Sequence, residues 1–299
     1  MRWRCRDHVF DLADRTLVMG IVNVTPDSFS DGGRTLEPRA AAERARRLFD
    51  EGAGLVDLGA ESTRPGAAPV PAAEQIRRLA PVLEALAGTP GIAISIDTSS
   101  AEVAAHGLAA GACAVNDVTA LRDPAMAQVV AERGAGLVLM HMRGTPATMQ
   151  ADPRYDDVAA EVAAHLAGRL EAARGAGVDE ACVALDPGIG FGKTARHNFE
   201  LVARIDRLAA LGRPVLVGVS RKSFLAGPEP LAVDERLEAG LAATAVAVFM
   251  GARIVRTHDV AATLRAVRIA DALRAARAGP AAAPGGRPVR ATRTHRGTA

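Results

Sequence analysis

Short apolar runs alternate with Ala-rich runs along this chain from residue 17 onward. The apolar runs fall at 17–22, 55–58, 92–96, 112–116, 137–140, 182–185, 215–219 and 253–255. They are built mostly from Val, Ile, Leu and Ala and lack the every-other-residue polar spacing of a half-exposed strand. Strands covered on both faces read this way. Between them Ala, Leu, Arg and Glu recur at helical spacing, as over 40–49, 74–86 and 158–174. Gly52, Gly111, Gly134, Gly177 and Gly212 each follow a helical run, where a left-handed cap is wanted. Eight strand–helix units in order predict an α/β fold closed into a parallel (β/α)8 barrel, the TIM barrel. A doubly wound open sheet is the alternative. The chain of 299 residues is an ordinary length for one such barrel.

The alternation stops near residue 278. From Gly279 the chain holds Pro, Gly and Ala with Arg287, Arg290, Arg293 and Arg296 and no acid. This predicts one barrel domain over 1–278 and a disordered basic tail over 279–299.

Composition narrows the function classes. Lys and Arg number 36 against 34 Asp and Glu, which gives no signal for nucleic acid or a membrane surface. Trp3 and Tyr155 are single, so the core is expected to be aliphatic. The basic N-terminal residues lack the apolar run of a signal peptide, and no apolar segment reaches the length of a membrane span. Cys5, Cys113 and Cys182 are odd in number and far apart in sequence. They fit free thiols in a reducing cytoplasm, not a disulfide framework or a zinc site.

Chemistry in such a barrel sits at the C-terminal ends of the strands. The first strand ends at Asn23 and runs into Val24-Thr25-Pro26-Asp27-Ser28-Phe29-Ser30-Asp31-Gly32-Gly33, a polar loop with one large apolar side chain, Phe29. The second leads to Asp57-Leu58-Gly59-Ala60-Glu61-Ser62-Thr63-Arg64-Pro65-Gly66. The others deliver Asp97, Asn116-Asp117, His141, Asp186, Ser220-Arg221-Lys222-Ser223 and Arg256-Thr257-His258-Asp259. A lone Asp after a strand is more often a cap or turn residue. Eight polar strand ends on one rim are costly to bury without a ligand. Arg64, Arg256 and His258 suit a phosphate-rich group. Asp97, Asn116, Asp186 and Lys222 mix donors and acceptors as the edge of a flat heterocycle would require. Asn23 offers a neutral oxygen for a hydrated Mg2+ bridging to a diphosphate.

Three other readings are weaker. Residues 188–194, Gly-Ile-Gly-Phe-Gly-Lys-Thr, have the look of a phosphate-binding P-loop, but Pro187 stands where that pattern needs Gly. His141 and His258 lack a partner at zinc-ligand spacing. Lys222 as a Schiff-base lysine would need desolvation that its neighbours Arg221 and Ser223 do not favour.

The motifs at 19–33, 57–66, 95–98, 116–118, 140–150, 186–193, 218–224 and 256–260 together resemble those of dihydropteroate synthase, in unbroken order over residues 17–260. The resemblance implies a TIM barrel that joins 6-hydroxymethyl-7,8-dihydropterin diphosphate to 4-aminobenzoate, releasing 7,8-dihydropteroate and diphosphate in folate biosynthesis. It implies that sulfonamides mimic the aminobenzoate. Carried onto this chain, it places Asp97, Asn116, Asp186 and Lys222 on the pterin. Asn23, Arg64, Arg256 and His258 would take Mg2+ and diphosphate, and Thr63 would join the substrate loop. Phe29, Pro65, Phe191 and Ser223 would frame the aminobenzoate, with Asp31 in the first loop. Asp31, Arg64, Lys222 and Arg256 are the expected catalytic residues. Ala60 and Thr257 depart from the common pattern at positions that hold no ligand.

The arylamine is neutral at pH 7 and needs no strong base to attack the pterin methylene, along a path with SN1 character. The loops bearing Phe29 and Arg64-Pro65 are expected to close over diphosphate first and so to create the aminobenzoate pocket. The apolar stretch 241–250 predicts a homodimer. A pterin-dependent methyltransferase and a non-catalytic pterin-binding paralogue are the rivals.

Overall fold

The computed structural model describes residues 1–25, 38–63, 66–227, 231–279 and 288–293. Eight parallel strands occur where the apolar runs predict them: β3 (Leu17–Asn23), β4 (Leu55–Gly59), β5 (Ile94–Asp97), β6 (Ala114–Asp117), β7 (Gly136–Met140), β8 (Val183–Asp186), β9 (Leu216–Val217) and β10 (Ile254–Thr257). Each pairs with its sequence neighbours, and β10 pairs back onto β3. The ring closes at its thinnest point between β8 and β9, where Leu185 bridges Val215 and its N–H donates to the Pro214 carbonyl at 2.9 Å. This is the closed barrel, not the open sheet.

The helices follow the strands: α1 (Pro38–Asp50), α2 (Ala72–Leu86), α3 (Ala101–Ala109), α4 (Met126–Arg133), α5 (Val158–Gly175), α6 (Ala195–Ala203), α7 (Ile205–Ala209), α8 (Leu237–Phe249) and α9 (Val260–Ala278). Side chains cap the starts of α3, α5 and α6. Asp157 accepts from the N–H groups of Ala159 and Ala160 ahead of α5, and Thr194 and His197 form a capping box on α6. Gly134 ends α4 in the left-handed region with φ 56°. The main core is the aliphatic layer between strands and helices, with Leu48, Leu79, Leu139, Leu185 and Val217 wholly or almost wholly buried.

The N-terminal end of the barrel holds elements that the alternation does not reveal. The antiparallel hairpin of β1 (Arg2–Cys5) and β2 (His8–Asp11) lies under it. Trp3, Cys5 and Phe10 are fully buried against Leu17, Met19, Leu55, Leu216 and Ile254. The Trp3 indole donates to the Cys182 carbonyl at 2.7 Å. The expected all-aliphatic core is thus broken at this end by an aromatic plug, which shuts the barrel opposite its polar rim.

The expectation of a disordered tail from residue 279 is corrected over 288–293. Thr292–Arg293 forms β11, antiparallel to β2. Val289 is buried in the same cluster as Trp3, and the Arg290 guanidinium stacks 3.8 Å from the Phe49 ring centroid while donating to the carbonyls of Ala53 and Phe49. Six residues with one apolar anchor and a stacked cation find partners that the average composition of the tail hides. Among the described residues, no helix is long and apolar enough to cross a membrane.

Candidate active site

Strand register brings the polar ends together. Asn23 pairs with Gly59, Gly59 with Asp97, and Asp97 with Asn116, so one row of the barrel holds three polar side chains around a residue without one. A Cβ on Gly59 would lie 3.4 Å from Asp97 Cβ and 3.8 Å from Asn23 Oδ1. Two residues deeper on β4, Asp57 is completely buried. Its Oδ2 accepts from Arg256 Nε at 2.7 Å and from Asn116 Nδ2 at 3.1 Å. Arg256 spans from there to Asp97, donating through Nη2 to Oδ2 at 2.7 Å. Two aspartates thus hold one guanidinium at the barrel mouth. Burial alone would lower the Arg256 pKa, but Asp57 and Asp97 outweigh it and raise it. Asp97 is pushed up, by burial first, against the pull of Arg256.

The same cluster carries acceptors that are not used. Oδ1 of Asp57, Asp97 and Asn116 and Oγ of Ser95 are buried and have no hydrogen-bond partner among the described residues. Buried oxygens of this kind are normally paired, and leaving them unpaired costs free energy. Their arrangement calls for a group rich in N–H donors.

Asp186 ends β8, buried, with Oδ1 accepting from the Gly188 N–H at 2.7 Å. Burial raises its pKa, with Lys222 the chief opposing charge. Lys222 precedes the 3-10 turn Ser223–Ala226 and donates to the Ile189 carbonyl. Its Nζ lies 4.7 Å from the Phe191 ring centroid. Burial draws it down to about 8, partly offset by Asp186. His258, at the end of β10, is pulled down to about 3 by burial and then by Arg256 and Arg221. Its Nδ1 lies 3.0 Å from Ser220 Oγ. That lowering makes it a neutral imidazole at pH 7.

Asn23, Asp97, Asn116, Asp186, Lys222, Arg256 and His258 therefore share the C-terminal face of the barrel. Thr63 is half-buried in the loop after β4, Phe191 is half-buried beside Lys222, and Ser223 is exposed at the start of its turn. Phe29, Asp31, Arg64 and Pro65 lie outside the described residues. Sequence reasoning named Asp57 only as part of a rim, not as a site residue. The available signal was a charge inside the apolar run 55–58. It also set aside Lys193, which is buried with its Nζ within 2.9 Å of His141 Nδ1.

A family model for pterin binding enzymes matches residues 19–258. The dihydropteroate synthase of Escherichia coli (strain K12) is 43% identical over 255 residues, which cover 85% of this chain and 90% of that protein. A probable bifunctional folylpolyglutamate synthase/dihydropteroate synthase of Haloferax volcanii is 47% identical over 263 residues, 87% of this chain but only 31% of that longer protein. Among solved structures, the Yersinia pestis dihydropteroate synthase in a sulfonamide drug complex superposes with a TM-score of 0.87 at 40% identity, covering 92% of this chain and all of that one. The Xanthomonas albilineans dihydropteroate synthase with 4-aminobenzoic acid gives 0.84 at 45% identity, covering 93% of this chain and 99% of the other. With the polar rim, the unpaired acceptors and this similarity along nearly the whole barrel, the chain belongs to the pterin binding enzyme family, among the dihydropteroate synthases.

Proposed function

We infer that the chain condenses 6-hydroxymethyl-7,8-dihydropterin diphosphate with 4-aminobenzoate to give 7,8-dihydropteroate and diphosphate. The observation that carries this reading is the set of buried, unpaired acceptors on Asp57, Asp97 and Asn116 around Arg256. A pterin presents amine and ring N–H groups that such acceptors need. Asp97, Asn116 and Asp186 take those donors, and the Lys222 ammonium donates to the heterocycle's oxygen or ring nitrogen. In the reaction the bond between the pterin methylene and the diphosphate oxygen breaks, and its electron pair leaves with diphosphate. The arylamine nitrogen bonds to the methylene and loses a proton. Arg256 is held with its charge at the mouth, where the leaving oxygens become more negative. The guanidinium is already oriented by two carboxylates, so little reorganisation is needed at that moment.

Mg2+ fits the donor set near Asn23. Among the described residues, no group of three His, Cys, Asp or Glu side chains could hold a metal. Mg2+ keeps several waters and is commonly bound through substrate phosphates and one or two protein oxygens. The half-buried Asn23 at the end of β3 supplies one neutral oxygen of that kind. Bound there, Mg2+ would neutralise diphosphate charge. Asp31 and Arg64 remain proposed catalytic residues, and Thr63, Phe29, Pro65, Phe191 and Ser223 proposed substrate contacts, on the resemblance alone.

A homodimer through α8 and α9 is part of this reading. Val246 on α8 and Ile269 and Leu273 on α9 are 47%, 65% and 56% exposed, although these helices pack on each other. Sedimentation at micromolar concentration should return twice the chain mass. Three buried free thiols support a reducing cytoplasm as the setting. The deciding assay is diphosphate release with and without 4-aminobenzoate. Release that requires the arylamine supports the reaction. Release without it, or none, favours a methyltransferase-like or non-catalytic pterin binder.

A further inference from the structure

The turn from Asp186 to Lys193 is built on three glycines in the left-handed region: Gly188 (φ 65°), Gly190 (φ 84°) and Gly192 (φ 63°). A Cβ on Gly188 would collide with the His141 carbonyl oxygen, and one on Gly192 would lie 2.7 Å from the Arg143 carbonyl oxygen. Such a turn has a large entropy to lose and no ladder to hold it. Side chains hold it instead. Lys193 Nζ donates to the carbonyls of Gly188 at 3.0 Å and Phe191 at 2.9 Å. Lys222 takes the carbonyl of Ile189, Gln150 that of Gly190 at 2.9 Å, and Tyr155 that of Gly192 at 2.8 Å. Every carbonyl from 188 to 192 is thereby tied, and Lys193 ties two of them.

Lys193 is 3% exposed, and its Nζ also lies 2.9 Å from His141 Nδ1. The His141 imidazole is neutral there, its pKa brought down to about 2 by burial and then by Lys193. The near neighbours of Lys193 Nζ are carbonyls and an imidazole, so the amine is buried without a carboxylate bonded to it, and burial draws its pKa down to about 7. An apolar side chain of similar volume would fill this space without desolvating a charge. What the amine adds is one nitrogen that donates to two carbonyls of the turn at once. The part of the turn that it steadies most directly is Phe191, the residue whose ring faces Lys222.

We propose that Lys193 is a positioning residue for the second substrate: by fixing the Gly188 and Phe191 carbonyls it sets the Phe191 ring against Lys222 and shapes the wall that the arylamine meets. Asp186, at the other end of the same turn, is held by its own strand and by the Gly188 N–H, so the pterin contact depends on Lys193 much less. This assignment rests on the condensation proposed above.

The test is Lys193→Met, with each substrate varied while the other is saturating. The KM for 4-aminobenzoate should rise about tenfold, while the KM for pterin diphosphate stays within about twofold and kcat within about threefold. Hydrogen exchange read by mass spectrometry over residues 187–192 should quicken. Tyr155→Phe, which frees only the Gly192 carbonyl, should give a smaller rise of the same sign, and it carries the test if Lys193→Met does not fold. Both KM values moving in step, a fall in kcat alone, or unchanged exchange in the turn would overturn the assignment. Wild-type chain that forms no dihydropteroate would refute the condensation instead, and the exchange measurement would still decide whether Lys193 fixes the turn.

Discussion

Replacing Asp57 by Asn should lower stability and activity together. The carboxylate is wholly buried, and one of its oxygens serves both Arg256 Nε at 2.7 Å and Asn116 Nδ2 at 3.1 Å. Removing one partner of a buried ion pair costs about 3–5 kcal/mol, because the other charge is left uncompensated. Two features of this site reduce that figure. Arg256 keeps Asp97 at 2.7 Å, and the Asn oxygen can stand in for the single carboxylate oxygen that accepts both bonds, though without its charge. A bond to a charged group is worth about 1.5–3 kcal/mol and a neutral one about 1, so the exchange itself loses about 1–2 kcal/mol. The new amide NH2 takes the place of the buried, unpaired Oδ1 and finds no acceptor bonded there among the described residues. The expected loss is about 2 kcal/mol, or about 3 °C in melting temperature for a chain of this size. Activity should fall further than stability implies. Arg256 Nε exchanges a carboxylate for a neutral amide oxygen and is held less firmly, and a misplacement of about 1 Å in a positioning group costs about 100-fold in rate. Thermal unfolding followed by circular dichroism gives the first number, and continuous diphosphate release the second. Asp57→Ala serves as the harsher comparator, at about 3–5 kcal/mol. An Asp57→Asn protein within about 0.5 kcal/mol of wild type, with an unchanged rate, would show that Asp57 does not organise Arg256.

Asp186→Asn should weaken pterin diphosphate binding by about tenfold or more without unfolding the barrel, since charge-assisted bonds are worth about 1.5–3 kcal/mol each; calorimetric titration of the folded variant reads this directly. Lys222, drawn down to about 8 by burial, carries its proton below that pH and loses it above. The value of kcat/KM for pterin diphosphate should therefore fall as pH rises through about 8, and Lys222→Arg should move that limb beyond about pH 10 because a guanidinium stays charged. Val289→Ala should destabilise the protein by about 1–2 kcal/mol from two lost buried methyl groups and leave kcat unchanged, because Val289 lies at the end of the barrel opposite the site; a melting temperature equal to wild type would restore the disordered-tail reading for that segment.

The barrel was legible because its rule is simple and repeated. Each strand is buried on both faces, so each announces itself as an apolar run. Glycines mark the helix ends, and the structure puts Gly52, Gly111, Gly134, Gly177 and Gly212 at positive φ. The hairpin at the N-terminus was missed although its pattern is present. Arg2, Trp3, Arg4 and Cys5 alternate outward and inward, as do His8, Val9, Phe10 and Asp11 in the opposite phase. Four residues are too few for that alternation to stand out from a basic N-terminus. The packed stretch 288–293 was hidden in a similar way, since Val289 is a single apolar residue among Pro, Gly and Arg.

At the site, legibility followed depth. Asp97, Asn116, Asp186 and Arg256 could be named because they end strands, and a barrel aims all strand ends at one face. What they do to one another was not legible. Register decides that Asp97 lies beside Asn116, and only the closed ring brings β10 near enough for Arg256 to reach both Asp57 and Asp97. Those contacts cross 199 and 159 residues of sequence, so no local spacing encodes them. Lys193 shows the converse. Its local pattern was conspicuous, three glycines at alternate positions before a lysine, and it was weighed only against phosphate binding. In a P-loop the backbone N–H groups face outward to an anion and the lysine follows them. Here the lysine turns back onto the carbonyls of its own loop. Glycines give the loop its shape in both cases, and the direction in which the peptide planes point decides whether the lysine meets a phosphate or the chain itself. Side-chain identities do not record that direction, so the same residues spell an anion cradle in one fold and a clamped substrate wall in another.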